Sequence, residues 1–197
     1  MIQDYKIILA SNSPRRKELL SGLDLQYEVK VLPDIDESYP DNLEKEKVAE
    51  YIADKKAEAH ISLLEEGTLL ITADTIVLLD NKIYGKPKDE EEAIQMLKEL
   101  SGKTHKVITG VCLTTQEKRK SFSIISEVRF AKLEDSEIEY YVSKYKPLDK
   151  AGAYGIQEWI GYVAVEYMSG SYFNIMGLPI QRLYQEMKLF YQHLQIY

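Results

Sequence analysis

Residues 69–79 form the most apolar stretch of this 197-residue chain. They read Leu-Leu-Ile-Thr-Ala-Asp-Thr-Ile-Val-Leu-Leu, a nearly continuous apolar run rather than an alternating one. Such a run predicts a central strand that is buried on both faces, in a sheet that is covered by helices on both sides. Because helical and strand patterns alternate along the whole chain, we expect an α/β fold.

Asp74 lies in the middle of this apolar run. An ionised carboxylate is rarely fully buried in a protein unless it is paired or bound to a metal. One interpretation is structural, with a strand that frays or bulges at this residue or an internal salt bridge formed by it. We favour the other interpretation, in which Asp74 is a functional carboxylate within a core strand.

A strand-to-helix turn near the N-terminus gathers positive charge. Residues 7–9 predict a short buried strand, and Ser13 with Pro14 predicts the N-cap and first position of the following helix. Arg15 and Arg16 fall in its first turn, where unpaired N–H groups and the helix dipole already favour an anion. This inverted charge pattern favours a phosphate site over a solvated arginine pair beside an ordinary cap.

Three further charged residues are candidates for ligand contacts. Glu37 lies in a proline-bracketed loop with two other carboxylates, which is either a polar surface loop or part of a divalent-metal site. Lys56 lies on an amphipathic helix predicted over residues 42–64, where a solvated lysine face is the simpler alternative. Pro87 restricts Lys86 to extended backbone, which places this lysine better to reach a ligand.

Gln157 ends a segment of small residues, Lys-Ala-Gly-Ala-Tyr-Gly-Ile-Gln, and its amide can both donate and accept hydrogen bonds. Together with the arginines, lysines and carboxylates, this amide suits a polyphosphate substrate with a bound magnesium ion. Phosphoryl transfer depends mainly on positioning and charge stabilisation, which these groups can supply. A carboxylate among cations can ligate the metal or accept a proton from a polarised water.

Bulk composition excludes several classes of function. A formal net charge of −7 argues against non-specific binding to nucleic acid or to an anionic membrane. No apolar run approaches the ~20 residues of a spanning helix, and the N-terminus lacks the pattern of a signal peptide. The single cysteine, Cys112, favours a reducing compartment. We therefore expect a cytoplasmic protein, with residues 1–197 forming one domain, or one domain with two lobes.

Several local patterns predict individual elements. Residues 105–115 and 120–130 predict two strands of a hairpin. Ser136 predicts the start of a helix, and residues 162–166 predict a strand. The tyrosines on that helix are either core and surface filling or a contact in a dimer, since tyrosine is enriched at interfaces. They are Tyr140, Tyr141 and Tyr145.

The chain resembles the Maf family of nucleoside triphosphate pyrophosphatases, once named for septum formation. The resemblance implies a Maf/ITPase-like α/β fold, an elongated mixed β-sheet flanked by helices, with two lobes and a central cleft. It also implies hydrolysis of a nucleoside triphosphate to the monophosphate and pyrophosphate. Five segments carry the resemblance in family order: Ser-Asn-Ser-Pro-Arg-Arg (11–16), Ala-Asp-Thr-Ile-Val (73–77), Gly-Lys-Pro (85–87), Asp-Lys-Ala-Gly-Ala-Tyr-Gly-Ile-Gln (149–157), and Gly-Ser-Tyr with Gly-Leu-Pro (170–179).

The resemblance also implies roles for single residues. Asp74 matches the family's proton acceptor, and Glu37 matches an acidic position near a metal, Mg²⁺ or Mn²⁺, which both carboxylates would hold. The positions that surround the triphosphate are matched by Ser13, Arg15, Arg16, Lys56 and Lys86. The positions associated with substrate choice are matched by Arg15, Thr75 and Gln157.

The pattern at Thr75 and Gln157 resembles the subgroup acting on dTTP and UTP rather than the subgroup that prefers 7-methyl-GTP. Glu158 departs from the family pattern, because relatives commonly have glycine there. Two alternatives remain open. One is a pyrophosphatase for another nucleotide, such as 7-methyl-GTP or a modified pyrimidine. The other is a nucleotide-sensing regulator of cell division, which would bind triphosphate without turnover. Nucleic-acid and membrane partners are not expected, and a homodimer stays open.

Overall fold

The computed structural model describes residues 5–192. Strands and helices alternate along this part of the chain, which confirms the predicted α/β class. The strands are β1 (Lys6–Leu9), β2 (Tyr27–Val29), β3 (Thr68–Leu79), β4 (Lys82–Tyr84), β5 (Thr104–Thr114), β6 (Arg119–Phe130) and β7 (Val165–Ser169). The helices are α1 (Pro14–Ser21), α2 (Val48–Ala59), α3 (Glu90–Leu100), α4 (Asp135–Tyr145), α5 (Trp159–Ala164), α6 (Tyr172–Met176) and α7 (Ile180–Gln192).

One mixed sheet contains these strands in the order β2-β1-β3-β5-β6-β7, with β4 also paired to β3. Strand β1 is parallel to both β2 and β3, whereas β4 is antiparallel to β3 and β7 is antiparallel to β6. Strand β3 is buried along its length except at Asp74 and Thr75, which are half-buried. The apolar run therefore forms the predicted central strand, and the strand continues through Asp74 without interruption.

The chain divides into two compact units. Unit 1 contains the residues up to Asp74, the segment Thr109–Ile124 and the residues from Gly177 onward. Unit 2 contains Thr75–Ile108 and Ile125–Met176. The boundary within β3 falls between Asp74 and Thr75, so the candidate catalytic carboxylate is the last residue of its segment of unit 1.

In unit 1, helix α2 packs very closely against β3 and β5. A Cβ atom at Gly110 would lie 2.3 Å from the carbonyl carbon of Ala49, so only glycine permits this approach. On β3, the Thr72 hydroxyl donates to the carbonyl oxygen of Ala53 at 2.7 Å. The small residue Ala53 is itself fully buried. These contacts determine where α2 presents Lys56.

In unit 2, an aromatic cluster lies beneath the small-residue segment. The ring of Phe130 meets those of His105 and Tyr154 edge-on, with both centroid distances at 4.9 Å. His105 Nε2 lies 2.8 Å from the hydroxyl of Tyr154. All three residues are buried. Tyr154 therefore anchors the backbone that follows it to a buried, packed cluster.

Two helix predictions needed correction. Helix α2 is shorter than the predicted 42–64, because separate 3-10 turns occupy Lys45–Lys47 and Ile61–Leu63. Helix α4 begins at Asp135, with Glu134 as N-cap. The cap is a reciprocal capping box in which Glu134 and Glu137 satisfy each other's backbone N–H groups, a role predicted for Ser136.

The predicted strand over residues 162–166 was wrong in its first part. Helix α5 continues to Ala164, and strand β7 begins only at Val165. Short apolar runs do not distinguish a helix from a strand, and tertiary context decided this one. Strand β2 is short, and its three residues, Tyr27–Val29, pair with β1.

The three tyrosines of helix α4 differ in burial. Tyr141 is fully buried and stacks on Tyr145 at a centroid distance of 5.1 Å. Tyr140 is 44% exposed and meets the ring of Trp159 edge-on. Across residues 5–192, each helix is too short or too polar to cross a bilayer.

Candidate functional site

Asp74 shares one ammonium group with a second carboxylate in unit 1. Lys56 Nζ lies 2.7 Å from Asp74 Oδ1 and 2.9 Å from Glu37 Oε1. The side chains of Lys56 and Asp74 are nearly buried, at 12% and 14% exposure, whereas that of Glu37 is 51% exposed. A cation from α2 is thus held between a strand carboxylate and a loop carboxylate that solvent and ligands can reach.

The loop that carries Glu37 is bound to α2 on both sides of that residue. Lys55 Nζ donates to Asp36 Oδ2 at 2.7 Å and to the carbonyl oxygen of Ser38 at 2.9 Å. The bond from Lys55, followed by bonds from the Ser38 amide and hydroxyl, holds the pKa of Asp36 far below its usual range. Lys55 therefore positions Glu37 indirectly. Sequence reasoning missed this role, because consecutive lysines on a helix resemble a solvated face.

Helix α1 begins as predicted, with Ser13 as N-cap and Pro14 as its first residue. The Ser13 hydroxyl accepts a hydrogen bond from the backbone N–H of Arg16 at 3.4 Å. Such a cap satisfies one of the donors that the first turn leaves unpaired. The prediction of a capped helix at this position is confirmed.

Arg16 contacts the strand that carries Asp74. Its Nη1 donates to the carbonyl oxygen of Ala73 at 2.9 Å, and its Nε donates to that of Gly177 at 2.8 Å. A longer contact of 3.4 Å joins Nη1 to the hydroxyl of Ser11. The guanidinium therefore supports the backbone next to Asp74, a structural role that the sequence pattern did not reveal.

The electrostatic surroundings of Arg16 show which charges converge in unit 1. Burial is the largest effect and lowers the pKa of the Arg16 guanidinium, and the positive charge of Arg15 lowers it further. The negative charges of Asp74 and Glu37 act in the opposite direction. Unit 1 thus brings together Asp74, Glu37 and Lys56 with the arginines of α1.

Asp74 and Glu37 also offer carboxylate oxygens of the kind that bind a divalent cation. Mg²⁺ is commonly held by one or two carboxylates, with water and substrate phosphates completing an oxygen shell. Residues 5–192 contain no group of three or more side chains of the metal-binding types. The donor set formed by Asp74 and Glu37 fits a hard divalent cation that the substrate helps to bind, rather than a closed structural site.

Unit 2 contains the remaining predicted site residues. Thr75 is half-buried and directly follows Asp74 in β3. Lys86 is exposed in the loop after β4, and the neighbouring carbonyl of Gly85 accepts a hydrogen bond from the N–H of Gly152 at 3.0 Å. This bond holds the Lys86 loop against the small-residue segment of the same unit.

The side-chain amide oxygen of Gln157 has no hydrogen-bond partner among the described residues. The residue is half-buried, and its Oε1 atom is itself buried. Buried side-chain oxygens are nearly always paired in native proteins. An amide oxygen that is enclosed but unpaired is consistent with the predicted contact to a substrate base.

Comparisons with known proteins agree with the motifs described above. The family model described as "Maf-like protein" matches residues 6–190. A dTTP/UTP pyrophosphatase of Phocaeicola vulgatus is 62% identical over 187 residues, covering 95% of this chain and 97% of the relative. One from Porphyromonas gingivalis is 56% identical, covering 96% of both chains, and one from Flavobacterium psychrophilum is 47% identical, covering 92% and 93%.

Among solved structures, the Ham1 protein of Staphylococcus aureus matches with a TM-score of 0.47 and 17% sequence identity, over 64% of this chain and 72% of that chain. The family model spans almost the whole described chain, and the relative from Phocaeicola vulgatus covers 95% of this chain. This chain belongs to the Maf family.

Proposed function

We propose that this protein is a nucleoside triphosphate pyrophosphatase that hydrolyses dTTP and UTP to the monophosphate and pyrophosphate. The names of its relatives support both the reaction and the substrates, since identities reach 62% over 95% of this chain. Within the structure, the observation that carries the proposal is Asp74, nearly buried in β3 and 2.7 Å from the ammonium of Lys56. A carboxylate at this position can accept a proton from a water molecule.

In the proposed reaction, a water oxygen forms a bond to the α-phosphorus of the substrate. The bond between the α-phosphorus and the oxygen that bridges it to the β-phosphorus breaks, and pyrophosphate leaves with that electron pair. The proton of the attacking water passes to the carboxylate of Asp74, which is general base catalysis. Arg16 keeps this carboxylate in place through its bond to the carbonyl of Ala73.

Cationic residues of each unit are assigned to the triphosphate. In unit 1 these are Arg15, Arg16 and Lys56, together with the capped N-terminus of α1 at Ser13, a kind of site that favours anions. In unit 2 the assigned cation is Lys86. Positive charge near the phosphates stabilises the charge that develops on the leaving group.

We assign a divalent cation, Mg²⁺ or Mn²⁺, to the carboxylates of Asp74 and Glu37. When bound, such a cation supplies positive charge to the phosphate oxygens. Glu37 is 51% exposed, on a loop that Lys55 holds, and is therefore accessible to a cation that arrives with substrate. Removing metal with a chelator should abolish turnover, and adding Mg²⁺ or Mn²⁺ should restore it.

Selection of the base is assigned to Arg15, Thr75 and Gln157. The 4-oxo group and ring N–H of uracil or thymine would pair with the Gln157 amide and nearby backbone. The unpaired, buried Oε1 of Gln157 supports this assignment, because the ring N–H offers the donor that it lacks. Cytosine presents an acceptor at that ring position, so CTP should be a poorer substrate.

Pyrophosphate release from a panel of triphosphates tests the proposal. The purified protein with Mg²⁺ should hydrolyse dTTP and UTP faster than CTP, dATP or 7-methyl-GTP. In ¹⁸O-labelled water, the label should appear in the monophosphate and not in pyrophosphate, as attack at the α-phosphorus requires. Fastest turnover of 7-methyl-GTP would favour the other nucleotide class, and tight binding without turnover would favour a nucleotide sensor.

We place this activity in the cytoplasm, where the free nucleotide pool offers its substrates. Buried, unpaired Cys112 is consistent with a reducing compartment. A homodimer stays a prediction, which sedimentation velocity of the purified chain would test.

A further inference from the structure

Glu158 is the residue at which this chain departs from the family pattern, and its carboxylate is occupied by two partners within unit 2. Lys150 Nζ lies 3.1 Å from Glu158 Oε1, and the hydroxyl of Tyr141 donates to Glu158 Oε2. Lys150 also contacts Asp149 Oδ1 at 2.7 Å. The side chain of Glu158 is 19% exposed, that of Lys150 is 9% exposed, and Tyr141 is fully buried.

This network holds both backbone polar groups of Gly155. The N–H of Gly155 donates to the Tyr141 hydroxyl oxygen at 3.0 Å, and its carbonyl accepts from the N–H of Glu158 at 3.0 Å. A Cβ at Gly155 would lie 2.9 Å from Glu158 Cδ and 3.0 Å from Lys150 Cε. Glycine is therefore needed for the charged side chains to lie directly against the backbone.

Gln157 lies between the two residues that the network holds. Residue 155 is held through its backbone, and residue 158 through both its backbone and its carboxylate. Only Ile156 and Gln157 separate them, and Ile156 is itself buried. The backbone of Gln157 is consequently held on both sides, which limits the positions from which its side chain can reach a base.

Because both oxygens of Glu158 have partners, this carboxylate does not compete with Gln157 for the base. Burial, followed by the hydrogen bond to Glu158, raises the pKa of the Tyr141 hydroxyl far above its usual range. Tyr141 therefore stays protonated and keeps donating to Glu158 across the pH range in which enzymes work. Ionisation of Tyr141 therefore does not break its hydrogen bond to Glu158 in that pH range.

We propose that Glu158 is a positioning residue that acts through Tyr141 and Lys150 to fix the Gly155–Gln157 backbone and thereby sharpens selection for uracil and thymine over cytosine. This inference rests on the proposed function, in which Gln157 contacts the base. It assigns to Glu158 no contact with substrate. Preorganised polar groups discriminate between substrates because a wrong base leaves them unpaired.

The test measures the ratio of kcat/KM for dTTP to that for CTP in single and double variants. In Glu158→Ala and in Tyr141→Phe, which keeps the buried ring, we expect this ratio to fall roughly tenfold, mostly through a higher KM for dTTP. The double variant should fall no further than the larger single effect, because both changes disrupt one network. Glu158→Gln, which still accepts from Tyr141, should recover part of the ratio.

A matched control is Glu166→Ala, which removes an exposed glutamate of β7 paired with exposed Arg129. This variant should keep the wild-type ratio. Ratios unchanged in both Tyr141→Phe and Glu158→Ala would overturn the inference, as would a loss confined to kcat. If Glu158→Ala does not fold, Tyr141→Phe decides the question alone. Wild-type protein that fails to hydrolyse dTTP would instead contradict the proposed function.

Discussion

Two nearly buried lysines, one in each unit, are bonded in the same way, and we assign different roles to them. Lys56 of unit 1 lies between Asp74 and Glu37 at 2.7 and 2.9 Å. Lys150 of unit 2 lies between Asp149 and Glu158 at 2.7 and 3.1 Å. Their side chains are 12% and 9% exposed. An ammonium between two carboxylates therefore does not by itself indicate function.

The difference lies in what else the carboxylates contact. In unit 2, Glu158 also accepts a hydrogen bond from the hydroxyl of Tyr141. That hydroxyl in turn accepts a hydrogen bond from the backbone N–H of Gly155, so the partners beyond Glu158 are neutral, buried groups. In unit 1, the charges of Arg16, Asp74 and Glu37 act on one another. The bonds around Glu158 therefore favour an architectural role for Lys150, whereas the exposed carboxylate of Glu37 leaves the surroundings of Lys56 accessible to a ligand.

Removing each ammonium gives the largest expected difference between the two lysines. Lys150→Met should lower the free energy of unfolding by about 3 kcal/mol, because Glu158 is left as an uncompensated, mostly buried charge. Lys56→Met likewise leaves Asp74 as a nearly buried charge and should also destabilise the fold, but it should in addition lower kcat/KM for dTTP by about 10²-fold or more. Urea unfolding and pyrophosphate release measure the two effects.

Either of two results would contradict the different roles assigned to the two lysines. A Lys150→Met protein of normal stability, or a Lys56→Met protein that hydrolyses dTTP at the wild-type rate, would show that the contacts around each lysine do not decide its role.

Acid should weaken the core of unit 2 through His105. Burial lowers the pKa of this histidine from 6.5 to about 4. The unfolded chain takes up a proton near pH 6.5 that the folded protein takes up only near pH 4, so stability falls as the pH drops between these values. We expect a loss on the order of 2 kcal/mol between pH 6.5 and pH 5.

Urea unfolding at several pH values measures this loss, with His105→Gln as the comparison. The glutamine amide can still reach the Tyr154 hydroxyl but does not titrate. The variant should therefore show a shallower pH dependence over the same interval. An equal slope in both proteins would mean that His105 is not responsible for acid sensitivity.

The smallest expected effect concerns the loop that carries Glu37. Lys55→Met removes the contacts to Asp36 and Ser38, so Glu37 should become less well placed. Activity on dTTP should fall several-fold, mainly through a higher requirement for Mg²⁺, with little change in thermal stability because Asp36 is exposed. A titration of activity with Mg²⁺ compares this variant with wild type, and identical curves would exclude a positioning role for Lys55.

The sequence revealed those features whose signal is local. Asp74 was conspicuous because a carboxylate disrupts an apolar strand pattern, and α1 was predictable from its cap and proline. The contacts that a side chain makes with residues far away in the sequence were not predictable. The contacts of Arg16 with Ala73 and Gly177 join residues far apart in sequence, to backbone atoms that any residue possesses.

Chemically similar residues were also indistinguishable before the fold was known. The helical pattern alone does not separate Lys55, which holds a loop, from Lys56, which pairs with Asp74, and the resemblance to the Maf family was needed to assign a ligand to Lys56. Glu158 was visible as a departure from a family pattern, yet its two partners lie on a helix and at the start of a small-residue segment. Tertiary packing alone brings them together.

The central claim is that Asp74 accepts a proton in the reaction, and a paired substitution tests it most directly. Asp74→Asn keeps the size of the side chain but removes the base, and Asp149→Asn makes the same change beside the structural lysine. Pyrophosphate release from dTTP should fall by about 10²-fold or more in Asp74→Asn and stay near the wild-type rate in Asp149→Asn. Wild-type turnover by a folded Asp74→Asn protein would contradict the account.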